Sequence, residues 1–146
     1  MYLLDTNVIS EQRKQQRANS GVTRFFNQLF ESGDRGYISV VTVGELRRGV
    51  ELIRHRGDQQ QVLALEQWLQ VMLDEYADSI LDFSVDESQV WGRLRVPNHE
   101  NSLDKQIAAT ALTHGLTLVT RNVDDFAGCG VEIINPFEPI PGGRLS

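Results

Sequence analysis

Short apolar runs alternate with segments of helical period along this chain, and that alternation restricts the fold more than any other feature. The runs at 2–4, 37–39, 80–83, 116–120 and 131–134 have the length and bounding residues of strands. Between them, Val22, Phe25, Phe26, Leu29 and Phe30 mark one face of a helix over about 20–31. Val43, Leu46, Val50 and Ile53 mark another over about 42–55, and Val62, Leu65, Leu69, Met72 and Tyr76 follow with 3-4-3-4 spacing. Val90, Trp91 and Leu94 predict a shorter helix that stops before Pro97. Leu103, Ile107, Ala108, Ala111 and Leu112 predict a last one, ended by Gly115. Strands alternating with helices predict an α/β protein with a mainly parallel sheet. The runs beginning at Met1 and Leu116 are apolar at successive positions, as central strands covered on both faces are.

The 146 residues suit a single domain, 1–146, with a helical hairpin at about 42–76. The tail, about 135–146, holds three prolines and two glycines and is expected to be irregular; the polar stretch 13–17 carries no clear period. No apolar stretch approaches the ~20 residues that cross a bilayer, and the first apolar run ends at Asp5, too soon for a secretory signal. The single cysteine, Cys129, excludes an internal disulfide and an all-cysteine zinc site. A bacterial cytoplasmic location is the expectation. The net charge of −6 opposes binding of nucleic acid by bulk electrostatics. The acids are then either solvated surface or a group converging on a cation.

Topology favours convergence for some of them. Ligands of an open parallel sheet bind beyond the carboxyl ends of its strands. Asp5 follows the first strand directly. Glu45 falls in the first turns of the helix after the second strand, and Asp104 opens the helix that leads into 116–120. Asn122, Asp124 and Asp125 come just after that strand. All of them reach one point if the strand from Leu116 lies beside the first. Each has a plainer reading. Thr42-Val43-Gly44-Glu45 matches a capping box, Asn101 to Asp104 could be a helix cap, Asp5 could cap the next helix, and Asp124 and Asp125 suit a turn. Carboxylates gathered at one point repel, and a hard divalent ion such as Mg²⁺ relieves this with oxygen ligands. That chemistry points to hydrolysis of a phosphate ester.

The stretches LLDTNVIS (3–10), SVVTVGELRRG (39–49), LDKQIAATAL (103–112) and LVTRNVDDF (118–126) resemble, in order and spacing, the four motif regions of PIN-domain ribonucleases. The similarity is greatest to VapC-type toxins of bacterial toxin–antitoxin pairs, in their FitB-like branch, which Ile134-Asn135-Pro136-Phe137 also resembles. The resemblance implies a PIN-like three-layer α/β/α sandwich with a four- or five-stranded sheet. It implies an endoribonuclease dependent on one or two Mg²⁺ or Mn²⁺ ions. Asp5, Glu45 and Asp104 match the family's metal positions, and Thr6, Asn7 and Thr120 match polar residues that buttress them. Asn122 stands where many members carry a fourth acid, which leaves Asn122, Asp124 and Asp125 as alternatives for that role. Lys105 departs from the usual small or apolar residue. The resemblance further implies a homodimer and a small antitoxin whose tail blocks the acidic site.

For RNA contacts, Arg47 and Arg48 beside Glu45 come first, with Arg54, His55 and Arg56 along the same edge and Arg93, Arg95 and His99 on another. A solvated helix face explains any single one equally. Trp68, off the main stripe of its helix, is expected to serve association. Two other functions compete. A haloacid-dehalogenase-like phosphatase also places an Asp after an apolar first strand, but it needs a second Asp where Asn7 stands. A catalytically inactive PIN-like module for protein binding would retain the fold and lose the metal.

Overall fold

A computed structural model describes residues 1–139 of the chain. The element order is β1 (Tyr2–Leu4), α1 (Thr6–Gln12), α2 (Ser20–Ser32), β2 (Gly36–Ser39), α3 (Val40–Arg56) and α4 (Gln59–Glu75), then β3 (Ile80–Leu81), α5 (Val85–Leu94), α6 (Ser102–His114), β4 (Thr117–Val119) and β5 (Ile133–Ile134). Short 3-10 turns at Gln15–Arg17, Ala77–Ser79 and Val123–Phe126 join some of them. The expected tail lies partly outside the described residues; 135–139 form neither helix nor strand.

All five strands are parallel, in the order β3-β2-β1-β4-β5. The chain therefore runs outward from β1 to β3, then crosses to the other side of β1 for β4 and β5. The order reverses between β1 and β4, where Leu3 pairs with Leu118 and Leu4 with Val119. Such a reversal opens a crevice at the carboxyl ends of the two strands.

Strand geometry sends alternate residues to opposite faces. Leu4 and Val119 enter one core with α1 to α4, through Val8, Val22, Phe26, Leu46, Val50 and Leu69. Leu3 and Leu118 enter the other with Ile107, Ala108 and Ala111 of α6 and Phe126. This produces three layers, helices on both faces of the sheet. Burying each of these leucines contributes about 1.5–3 kcal/mol.

Local signals fix the helix ends. Asn19 caps α2 by accepting from the Gly21 N–H at 2.9 Å. Gly21 lacks a side chain for a reason: a Cβ there would sit 2.1 Å from the Pro136 carbonyl, where the segment after β5 crosses the helix. Helix α6 ends at Gly115, whose φ of 65° suits glycine best. Helix α3 starts earlier than its apolar period suggests. Ser39 is the cap, accepting from Val41 N–H at 3.0 Å, so Thr42 is buried inside the helix and Glu45 is not part of a capping box. Strands β3 and β5 are shorter than the apolar runs that predict them. Among the described residues, no helix is long and apolar enough to cross a membrane.

Candidate active site

Asp5 leaves β1 at the point of strand reversal. Its backbone N–H donates to the Val119 carbonyl at 3.0 Å, extending the β1–β4 ladder by one bond. The next residues turn into α1, and Asp5 is its cap: Oδ1 accepts from Thr6 N–H at 2.8 Å. Oδ2 accepts from the Thr120 hydroxyl at 2.8 Å and from Asn7 Nδ2 at 3.3 Å. The capping role and the site role therefore coexist in one carboxylate. Thr120, directly after β4, also accepts from the Asn122 N–H, and Asn7 Oδ1 accepts from the Arg121 N–H. These bonds lace the two strand ends together across the crevice.

Glu45 approaches from α3. Its Oε1 accepts from the Thr6 hydroxyl at 2.8 Å. Thr6 thus holds Asp5 with its backbone and Glu45 with its side chain. Asp104 sits in the first turn of α6, partly buried. Asp125 projects from the turn after β4 and is exposed.

Neighbouring carboxylates act on Asp5, Glu45 and Asp104. Burial pushes Asp104 up to about 6, and the charges of Asp5, Asp125 and Glu45 push in the same direction. Burial likewise raises Asp5 against the pull of its three donors, and Asp125 adds to the rise. Glu45 is raised by burial and by Asp5, with Thr6 and Arg48 opposing. Asp125 is thus the residue of the 122–125 turn whose charge reaches Asp5 and Asp104. Asn122 lies in the same turn, its N–H on Thr120 and its carbonyl accepting from the Asp125 N–H. Among the described residues, no three acid, histidine or cysteine side chains are close enough to enclose an ion directly.

The basic residues divide differently from the expectation. Arg47 is committed to α4, reaching both oxygens of Glu66 at 2.7 and 3.1 Å and Glu51 at 3.4 Å. Arg54 joins the same network through Glu51 and Glu66. Arg48 makes no ion pair among the described residues, and its charge reaches Glu45. Arg95 stacks on Trp91, its guanidinium carbon 4.6 Å from the ring centroid. Lys105 donates to the Asn98 carbonyl. Trp68 packs against the core and lies under Arg13.

Two residues escaped the sequence reading. Arg121 stands at the rim with its N–H on Asn7 and its guanidinium over Phe137, 4.9 Å from the centroid. Gly49 lines a hollow beside Glu45, one helical turn beyond it. A position directly after a strand-end residue was the available signal for Arg121.

A parallel sheet with mutually repelling acids at its β1–β4 reversal defines a class. Residues 2–128 match the PIN domain, and the chain belongs to that family. It is 36% identical over 142 residues to Toxin FitB of Neisseria gonorrhoeae, covering 94% of this chain and 99% of that protein. It is 33% identical over 147 residues to VapC ribonuclease Y4jK of Sinorhizobium fredii, covering 95% and 99% respectively. The crystal structure of FitAcB from Neisseria gonorrhoeae superposes with a TM-score of 0.81 at 33% identity, over 93% of this chain and 98% of that one. The phosphatase alternative has no second acid: Asn7 spends its amide on Asp5, Thr120 and Arg121.

Proposed function

We propose that the protein is a divalent-metal-dependent endoribonuclease toxin of a bacterial toxin–antitoxin pair. It acts in the cytoplasm, cuts RNA phosphodiester bonds, and is inhibited by a small cognate antitoxin. The carrying observation is the convergence of Asp5, Glu45 and Asp104 beside Asp125: burial raises the proton affinity of the first three, and the charge of a neighbouring acid adds to each rise.

The donor set fits Mg²⁺ or Mn²⁺. Every group is a carboxylate oxygen, and such ions keep several waters, which suits acids that converge without closing on one point. Asp5, Glu45 and Asp104 would hold one or two ions. When bound, the metal would neutralise phosphate charge and acidify a water. The chain supplies position. Thr6, Asn7 and Thr120 fix both oxygens of Asp5, and Thr6 fixes Glu45 in the same frame. Among the described residues, Arg48 and Arg121 lie beside the acids and make no ion pair, so they are suited to the RNA backbone. Attack of water on phosphorus, with release of the 3′ oxygen, leaves a 5′-phosphate and a 3′-hydroxyl.

Exposed Phe30 and Val71 and half-buried Trp68 edge a cavity of about 530 Å³, an apolar seat for the antitoxin. The reading includes a homodimer, to be checked by sedimentation. The main test uses Asp5→Asn. Wild type should gain thermal stability with Mn²⁺ and cleave a defined RNA; folded Asp5→Asn should do neither, with cleavage down by more than about 100-fold. A folded Asp5→Asn variant that cuts like wild type removes the site. Wild type that binds a protein partner but neither Mn²⁺ nor RNA is an inactive module.

A further inference from the structure

Beside the acid cluster lies a hollow of about 310 Å³ that the cleavage chemistry leaves unused. Three helices wall it with residues one turn or so apart: Thr6 and Ser10 of α1, Glu45 and Gly49 of α3, Leu65 and Trp68 of α4. Such spacings place each pair on one helix face. Thr6 and Glu45 belong to the hollow and to the acid cluster alike, and their 2.8 Å hydrogen bond is the shared wall. A nucleotide whose phosphate lies at the acids therefore has this hollow directly alongside.

Gly49 is an exposed residue on the wall of the hollow. No atom lies within 4 Å of the place where its Cβ would stand, so a larger side chain there meets no clash. Its φ is not positive, so backbone geometry does not call for glycine. Glycine inside a helix costs stability relative to alanine, and of the two glycines within α3 only Gly49 lines the hollow. At the far end stands Trp68, with the Arg13 guanidinium 5.8 Å from its ring centroid. Aromatic rings and guanidinium planes are the surfaces on which unpaired bases stack. Ser10 and Gln61 add hydroxyl and amide groups that can meet a base edge. The volume is at the low end for small-ligand sites, right for a single flat ring system and too small for a helix.

We propose that this hollow is a base-binding subsite. It receives one unstacked nucleobase of single-stranded RNA, on a nucleotide adjoining the scissile phosphate. This inference rests on the ribonuclease reading above.

The test fills the hollow. Gly49→Leu should fold with a Tm at or above wild type and keep the Mn²⁺-induced rise in Tm. Its half-saturating concentration for a defined single-stranded RNA should rise about tenfold, with the single-turnover rate at saturation changed far less. Gly49→Val should lie between it and wild type, and it carries the test if Gly49→Leu does not fold. Substrates carrying one abasic nucleotide on either side of the cut should bind wild type about tenfold more weakly at one of the two positions. The same abasic substrate should bind Gly49→Leu no more weakly than the parent RNA does. Gly49→Leu that binds and cuts RNA like wild type overturns the subsite while the ribonuclease reading stands. So does a variant that loses affinity for a protein partner alone. Wild type that cuts no RNA, with or without Mn²⁺, ends both.

Discussion

Asp5 and Glu87 are carboxylates of one chain, each 4% exposed, and the protein treats them in opposite ways. Burial by itself raises a carboxylate's proton affinity. Glu87 is nevertheless held down to about 2, first by the Ser84 hydroxyl and further by backbone N–H groups and His114. It closes a capping box at the start of α5, accepting from the Ser84 N–H at 3.0 Å, and reaches across to His114 Nε2 of α6 at 2.9 Å. Asp5 also has three donors, yet burial outweighs them and the Asp125 charge adds to it. The neighbours make the difference. Glu87 faces donors, and its position ties α5 to α6. Asp5 faces other acids, and its position is short of positive charge. The first arrangement is complete within the chain; the second is the one that the proposed metal ion would complete.

Breaking Glu87 should therefore be the converse of breaking Asp5. Glu87→Gln removes a charge that two donors and a histidine serve, and should cost about 1.5–3 kcal/mol. Urea denaturation at pH 7 measures this, with RNA cleavage by the folded fraction unchanged. The sign with pH follows from the depressed value. The stabilisation is full above the unfolded value near 4.5 and disappears as pH falls through about 2. Loss of cleavage at unchanged stability would erase the contrast between the two carboxylates.

Asp104 sharpens the other side of it. Its folded pKa of about 6 lies above the ordinary 3.8, so the folded state binds this proton more tightly than the unfolded chain. Stability is then greatest below about pH 3.8 with respect to this group and falls as pH rises to about 6. In metal-free buffer Asp104→Asn should be more stable than wild type above pH 6, on the order of 1 kcal/mol once screening of a partly exposed group is allowed for. Below pH 4 the two should agree. Mn²⁺ should narrow the gap at pH 7 by stabilising wild type. Equal gaps at both pH values, found by urea titration, would show that acid repulsion is not what sets Asp104 apart.

The sequence revealed this frame because the frame is periodic. Apolar runs and helical stripes placed β1 and β4, and their direction placed Asp5, Glu45 and Asp104 at one rim. What stayed hidden depends on pairings between distant residues or on turns without a period. Ser39 rather than Thr42 caps α3, since the helix begins where β2 ends, with no loop residue to mark it. Arg47 meets Glu66 nineteen residues away on α4, a partner that no spacing within α3 predicts. The choice among Asn122, Asp124 and Asp125 turns on a 3-10 turn of four residues, too short to show a face. The hollow at Gly49 needs three helices to exist.

Arg47 and Arg121 carry the same contrast onto the cations, with the smallest expected effect. Arg47 is neutralised by Glu66 and Glu51 in an exposed network. Arg121 has no ion pair among the described residues; its guanidinium rests on Phe137, and its backbone is tied to Asn7 beside Asp5. A phosphate approaching Arg47 must compete with two carboxylates, whereas one approaching Arg121 meets a cation already placed at the rim. Arg121→Ala should therefore weaken RNA binding about two- to fivefold at low salt, the scale of one exposed charge. It should also flatten the plot of log affinity against log salt by about 0.7, one phosphate contact on a single strand. Arg47→Ala should leave that slope near the wild-type value, because removing it also frees Glu66 and Glu51 to repel the strand without removing a phosphate contact. Binding measured by fluorescence anisotropy across a salt series, with Mg²⁺ absent, separates the two. A wild-type slope for Arg121→Ala with a flattened one for Arg47→Ala would place the RNA along α3 and away from the β4 rim.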